Sequence, residues 1–244
     1  MTDARHALSL WLDRLTLRST LSDAERHAIL ALPGELETIR PNRDFVRLGE
    51  RVDRACLIVS GLAGRFGQTR DGERQMTALH IPGDMADLHS VMLPNAATAL
   101  QSVGETVIYR VPHAEIHRLA GQSLTLAEAF WRDCMVDAAV LSQWALVNAR
   151  LSAKGRVAHL LCEMACRFGR GQCPDGGVIA WPLTQTTLGD TTGLTPVHVN
   201  RTLRALREAR AARIVDKQLH VLDWKLLSAI AEFDPRYLVL EKVD

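Results

Sequence analysis

Apolar and polar positions follow two different rhythms along this chain, and the changes of rhythm divide it. From residue 5 to 32 the spacing is helical. Leu8, Leu12 and Leu15 share a face, and a second short helix restarts at Leu21-Ser22-Asp23-Ala24-Glu25, where Ser22 and Glu25 stand at capping-box spacing. Between about 36 and 112 short apolar runs (Leu57-Ile58-Val59, Met76 to Ile81, Thr106 to Val111) alternate with the turns Gly49-Glu50, Ser60-Gly61, Asp71-Gly72 and Pro82-Gly83-Asp84. Short strands at regular spacing with such turns predict an antiparallel sandwich or barrel. Helix returns over 113–149, with its longest piece at about 124–148. There Ala127, Trp131, Cys134, Ala138, Leu141 and Ala145 repeat at 3.5-residue spacing, while Phe130, Val140, Trp144 and Val147 form a second apolar face. A helix apolar on two sides is covered on two sides. One cover is the β-domain; the other is a second copy of the chain, as in a coiled-coil dimer, or more of the same subunit.

The C-terminal third is punctuated more tightly. Arg150-Leu151-Ser152 reads as a hinge, a helix follows over 153–168, and the Gly- and Pro-rich stretch 169–177 ends it. Val178 to Trp181 reads as a strand. Leu183 to Thr191 and Thr195 to Ala209 read as two helices parted by Gly193, and 214–222 as a hairpin. In the second of those helices Thr195 suits the N-cap and Pro196 the first helical position, where a missing N–H removes nothing. Val199, Leu203 and Leu206 line an inner face; Val197, Asn200, Arg201 and Arg204 line the outer one. Helix, Gly-containing turn, helix with a basic outer face, then hairpin is the order of a winged helix-turn-helix. The expected partition is a β-domain with the long helix over 1–150 and a DNA-binding domain over 151–244.

Composition adds limits. The 244 residues suit one large or two ordinary domains, and 47% hydrophobic content supplies a full core. No apolar run approaches the roughly 18–20 residues of a membrane span, and the N-terminus does not read as a signal peptide, so a cytoplasmic chain with no membrane partner is expected. Five cysteines without a leader suggest reduced thiols; Cys162, Cys166 and Cys173 are close in sequence but lack a fourth metal ligand at a standard spacing. The net charge of +1 hides an uneven distribution. Six basic residues fall between Arg201 and Lys217, opposed only by Glu208 and Asp216, a local stripe that suits double-stranded DNA.

The segments GERVDRACLIVSG and TALHIPGD, the long central helix, and LTQTTLGDTTGLTPVHVNRTLRALRE together resemble the Crp/Fnr family of transcription regulators over nearly the whole chain. The resemblance implies an α+β fold: an N-terminal double-stranded β-helix (jelly roll) with flanking helices, a long dimerisation helix and a C-terminal winged helix-turn-helix. It implies a homodimer on a palindromic operator, RNA polymerase as a partner, and no enzymatic activity. By position, Thr195, Val197, His198, Asn200 and Arg201 open the recognition helix, with Arg204 following. Arg201 matches the arginine used on guanine, for which its forked donors are suited. Val197 stands where a glutamate often accepts from cytosine, so the half-site is expected to depart from the family's TGA-containing core. Thr184 and Gln185 match phosphate-contacting positions, which set register.

The sensor departs from the pattern too. Cyclic-AMP-binding members place a glutamate on the ribose and an arginine on the phosphate; here Leu88 takes the first position, and Ala97-Thr98-Ala99 contains no arginine. Cyclic AMP in its usual pose is therefore not expected, and the effector residues read from the resemblance are Gly83, Asp84, Asp87, Leu88 and Thr98. Residues 1–55 have no cysteine for an iron–sulfur cluster. Haem or a metal on His80 and His89, or on His113 and His117 spaced i, i+4, stays open. Two alternatives remain: a metal-dependent, cupin-like jelly roll using His80, Asp84, Asp87 and His89, or a degenerate sensor whose DNA binding needs no ligand.

Overall fold

The computed structural model describes residues 3–72, 74–169 and 177–242. They fall into two compact units, one taking in the chain up to Ala138 together with the last residues from Glu241, and the other Ala139–Leu240. The division lies inside one continuous helix.

The first unit opens with α1 (Ala4–Arg18) and α2 (Asp23–Leu30). The capping box at α2 is formed: Glu25 N–H donates to Ser22 Oγ, and Ser22 N–H to Glu25 Oε2. Seven strands follow: β1 (Glu35–Ile39), β2 (Asp44–Val46), β3 (Arg54–Ser60), β4 (Ala63–Gln68), β5 (Arg74–His80), β6 (Ala99–Ser102) and β7 (Thr106–Pro112). They form two antiparallel sheets, ordered β1-β7-β3 and β2-β6-β4-β5. The long apolar run of β3 is explained by burial on both faces. Ala55, Leu57 and Val59 join the helices in one core that contains Trp11, Leu15, Ile116 and Phe130. Cys56 and Ile58 point the other way, into the roll, with Val46, Ala63, Leu100 and Ile108. A 3-10 turn at Leu88–Val91 and α3 (His113–Gln122) lead into α4 (Leu124–Arg150).

The exposed line of α4 differs from the stripe read in the sequence. Ala127 is buried, and Cys134 and Leu141 are half-buried; Trp131, Ala138 and Ala145 are exposed, together with Leu124, Thr125, Glu128, Met135, Ser142, Leu146, Ala149 and Arg150. Within that set Leu124, Glu128, Trp131, Met135, Ala138, Ser142, Ala145 and Ala149 recur every three or four residues, a seam that keeps Trp131, Ala138 and Ala145 of the expected stripe and runs one residue later at the alternate positions. The second face holds: Phe130, Val140, Trp144 and Val147 are all buried.

The second unit continues with α5 (Ala153–Phe168), β8 (Val178–Ala180), α6 (Gln185–Thr192), α7 (Pro196–Glu208), β9 (Ala212–Val215), β10 (Gln218–Val221) and α8 (Trp224–Ala231). Its three strands are ordered β8-β10-β9. Helix α5 is buried along nearly its whole length and carries Glu163, 0% exposed. Its carboxylate accepts from Trp144 Nε1 (2.8 Å), Tyr237 Oη (2.8 Å) and Arg167 Nη1 (3.0 Å), which satisfies a buried charge on three sides. Cysteine chemistry departs from the expected five thiols: Cys56, Cys134 and Cys162 are free, but Cys166 is disulfide-bonded. Cys173 and most of the stretch expected to break the chain at 169–177 lie outside the described residues. No described helix is long and apolar enough to cross a membrane.

Candidate nucleic-acid interface and sensor cavity

The turn between α6 and α7 is set by two glycines. Gly193 adopts a left-handed conformation (φ 65°) as the C-cap of α6. Gly189 lies so close to the chain that a Cβ there would fall 2.6 Å from the backbone oxygen of Leu194. Helix α7 then starts at its cap, with His198 N–H donating to Thr195 Oγ1 at 3.4 Å and Pro196 in the first turn. Val199 and Leu206 are fully buried and Leu203 half-buried, which fixes the helix's rotation. Val197, His198, Asn200, Arg201 and Arg204 are all exposed in consequence, as are Thr184 and Gln185 at the start of α6.

Within that set the side chains are not equivalent. Arg204 is tied along its own helix to Glu208 (2.7 Å), whereas Arg201 makes no ion pair among the described residues. Its donors are left for an external acceptor such as a guanine edge or a phosphate. Thr184 Oγ1 caps α6 by accepting from Thr187 N–H at 3.1 Å. The wing is the β9–β10 hairpin, whose two-residue turn Asp216-Lys217 has both residues at positive φ, the geometry that matches strand twist.

The sensor residues separate into two groups. Asp87 and Thr98 line a small cavity inside the roll, with Val46, Val52, Arg65 and His89 among its other walls. Gly83, Asp84 and Leu88 do not. Gly83, at φ 95°, has room for no Cβ, since one would meet Leu10 O of α1 at 2.9 Å. Asp84 faces the same helix, pairing with Arg14 (3.5 Å) and accepting from Ile81 N–H. Leu88 packs in the apolar core beneath the helices. Sequence reasoning missed Arg65, which sits on β4 with 3% exposure and reaches Asp137 of α4 at 2.7 Å. The only signal for it was strand alternation, which puts residue 65 on the same inward face as Ala63.

His113 and His117 have separate partners. His113 Nε2 shares a 2.8 Å hydrogen bond with Ser90 Oγ, and His117 Nε2 lies 3.2 Å from Val91 O. Burial holds His113 and His89 below the usual imidazole range, so both favour the neutral ring. Among the described residues no group of three or more His, Cys, Asp or Glu side chains could hold a metal ion, so the proposed cupin set of His80, Asp84, Asp87 and His89 is not assembled.

Residues 36–123 match the cyclic nucleotide-binding domain and residues 155–230 the Crp-like helix-turn-helix domain. The chain belongs to the Crp/Fnr family. Among curated relatives of this Crp/Fnr protein is the fumarate and nitrate reduction regulatory protein of Vibrio cholerae. It is 20% identical over 229 residues, spanning 93% of this chain and 91% of the relative. The nitrogen fixation regulation protein FixK of Rhizobium meliloti is 24% identical, over 75% of this chain and 83% of its own length. Among solved structures, FixK2 from Bradyrhizobium japonicum has a TM-score of 0.70 at 22% identity, covering 82% of this chain and 98% of that one. The family is one of transcription regulators and not of enzymes.

Proposed function

We propose that this Crp/Fnr protein is a DNA-binding transcription regulator acting as a homodimer on a palindromic operator. The observation that carries the reading is α7, a capped helix whose apolar side is buried and whose Val197, Asn200 and Arg201 stand free after a Gly-formed turn. Arg201 supplies guanine recognition, Val197 offers only an apolar contact to a thymine methyl, and Thr184, Gln185 and Arg204 hold phosphates. The exposed seam of α4 supports dimerisation, which would set two recognition helices about 34 Å apart, one turn of DNA. On this reading residues 1–150 form the sensor with its dimerisation helix, and 151–244 form the DNA-binding domain. RNA polymerase is the partner to which a bound dimer would present itself.

Whatever fills the roll is not cyclic AMP in its usual pose. Leu88, at the position that would hold the ribose, is committed to the apolar core, and the cavity beside Thr98 holds no more than about one water at 10 Å³.

Selection of duplexes from a random pool by the full-length protein tests this function. The expected result is one enriched palindrome whose half-site departs from the family's TGA core, and a loss of about 1–3 kcal/mol in its binding on Arg201→Ala with the fold retained. No enrichment, or unchanged binding by the folded variant, refutes the reading.

A further inference from the structure

The interior of the roll is occupied by the chain itself. Strand β4 slips register against β5 between Arg65 and Phe66, an irregularity that re-aims side chains. Arg65 there turns inward, 3% exposed. Its Nη2 donates to Ala86 O (2.5 Å), and its Nη1 pairs with Asp137 Oδ2 on α4 (2.7 Å). Among the described residues its Nε–H has no partner, and neither does Asp87 Oδ2, although both residues line the same cavity. The space left beside them suits a single water linking such groups and excludes anything of nucleotide size.

An apolar side chain would fill this interior at lower cost. Burying a guanidinium demands compensation, and an ion pair in such a place is weak evidence for stability alone. What the arginine supplies that an apolar residue does not is a directed bond to one point on α4. That helix is continuous from Asp137 to Trp144, whose indole N–H donates to Glu163 of the DNA-binding unit's core. Arg65 therefore joins the interior of the roll to one point on the long helix.

We propose that Arg65 is a built-in effector: its guanidinium occupies the roll and clasps Asp137, holding α4 in the arrangement competent for DNA without a diffusible ligand. This rests on the reading of the chain as a DNA-binding regulator. The effector is a side chain, and the chemistry that replaces it is that of a small alkylguanidinium.

Chemical rescue tests the proposal on the full-length protein, using the duplex that the wild-type chain selects from a random pool. Binding is measured by fluorescence anisotropy after extensive dialysis, and folding by thermal unfolding and circular dichroism. Wild-type protein should bind with no added small molecule and show only chain mass in native mass spectrometry. Arg65→Ala should weaken binding by about tenfold or more, within the usual range of coupling between two sites. Millimolar ethylguanidinium should restore it to within about threefold, because an emptied interior accepts a guest of the missing group's shape. Ethylammonium or sodium chloride at equal ionic strength should not, and neither should ethylguanidinium act on Arg65→Ala/Asp137→Ala, which lacks the anchor. Should Arg65→Ala fail to fold, Asp137→Asn removes the clasp without emptying the roll and should show the same loss. Undiminished binding by folded Arg65→Ala or Asp137→Asn overturns the proposal, as does tighter binding or folded Arg65→Ala that ethylguanidinium leaves weak. A wild-type chain that selects no duplex defeats the DNA-binding reading instead, so the two failures are distinct.

Discussion

Trp131 offers the sharpest test of the seam on α4. It is 61% exposed in a line that, apart from Glu128, carries small and apolar side chains, with Met135 one turn on at 64%. A tryptophan presents up to about 250 Å², so roughly 150 Å² of it faces outward. If a second copy covers two-thirds of that area, the burial is about 100 Å², or about 2.5 kcal/mol at 25 cal/mol per Å². Each dimer buries the residue twice, and alanine recovers a small part of the area. Trp131→Ala should therefore cost the dimer about 4 kcal/mol, close to a thousandfold in dissociation constant. Sedimentation velocity or mass photometry over nanomolar to micromolar concentrations reads this directly, with circular dichroism to confirm the fold. A dimer as tight as wild type would refute the seam, and a wild-type chain monomeric at micromolar concentration would refute the dimer. A comparable loss from a residue on the buried face, with the fold intact, would show the seam assigned to the wrong side.

Three further outcomes are expected. Glu163→Ala strands Trp144, Tyr237 and Arg167 without their shared acceptor and should lower unfolding free energy by about 3–5 kcal/mol in urea titration; a loss below about 1 kcal/mol would contradict the network. Burial raises the Asp87 carboxyl from 3.8 to about 6, so the folded state takes up this proton more readily than the unfolded one. Its contribution is then fully favourable below pH 4 and lost as pH rises toward 6, by about 3 kcal/mol, and Asp87→Asn should be the more stable chain at pH 7 with the gap closing at acid pH; a gap that does not vary with pH would be inconsistent with this. Gly189→Ala places a Cβ against the Leu194 carbonyl and should cost about 1–3 kcal/mol of stability together with operator affinity, whereas unaltered unfolding would mean that the turn yields freely.

What the sequence discloses and what it conceals follow one physical line. Helix α7 was legible because every determinant is local: Thr195 caps, Pro196 starts, Gly193 turns, and Val199 and Leu206 fix the buried side within one short segment. The capping box at Ser22 and Glu25 and the glycine turns of the roll were legible for the same reason. Of the α4 stripe, Trp131, Ala138 and Ala145 were legible and the alternate positions were one residue out, because periodicity shows that a helix has an apolar side but not which neighbour covers it; Ala127 is buried within the chain and Met135 is exposed. Arg65 was signalled only by strand alternation with Ala63, and nothing local showed its partner. An arginine in a short strand reads as solvent-facing, and its partner Asp137 lies 72 positions away, with no local pattern to join them. Gly83 and Asp84 fail in the opposite sense, their motif being real but spent on α1 rather than on the cavity. A residue that breaks the local rule at a high desolvation cost, beside a cavity inside the roll, is where function is to be sought. That is the physical ground for testing Arg65 before searching for a small-molecule ligand.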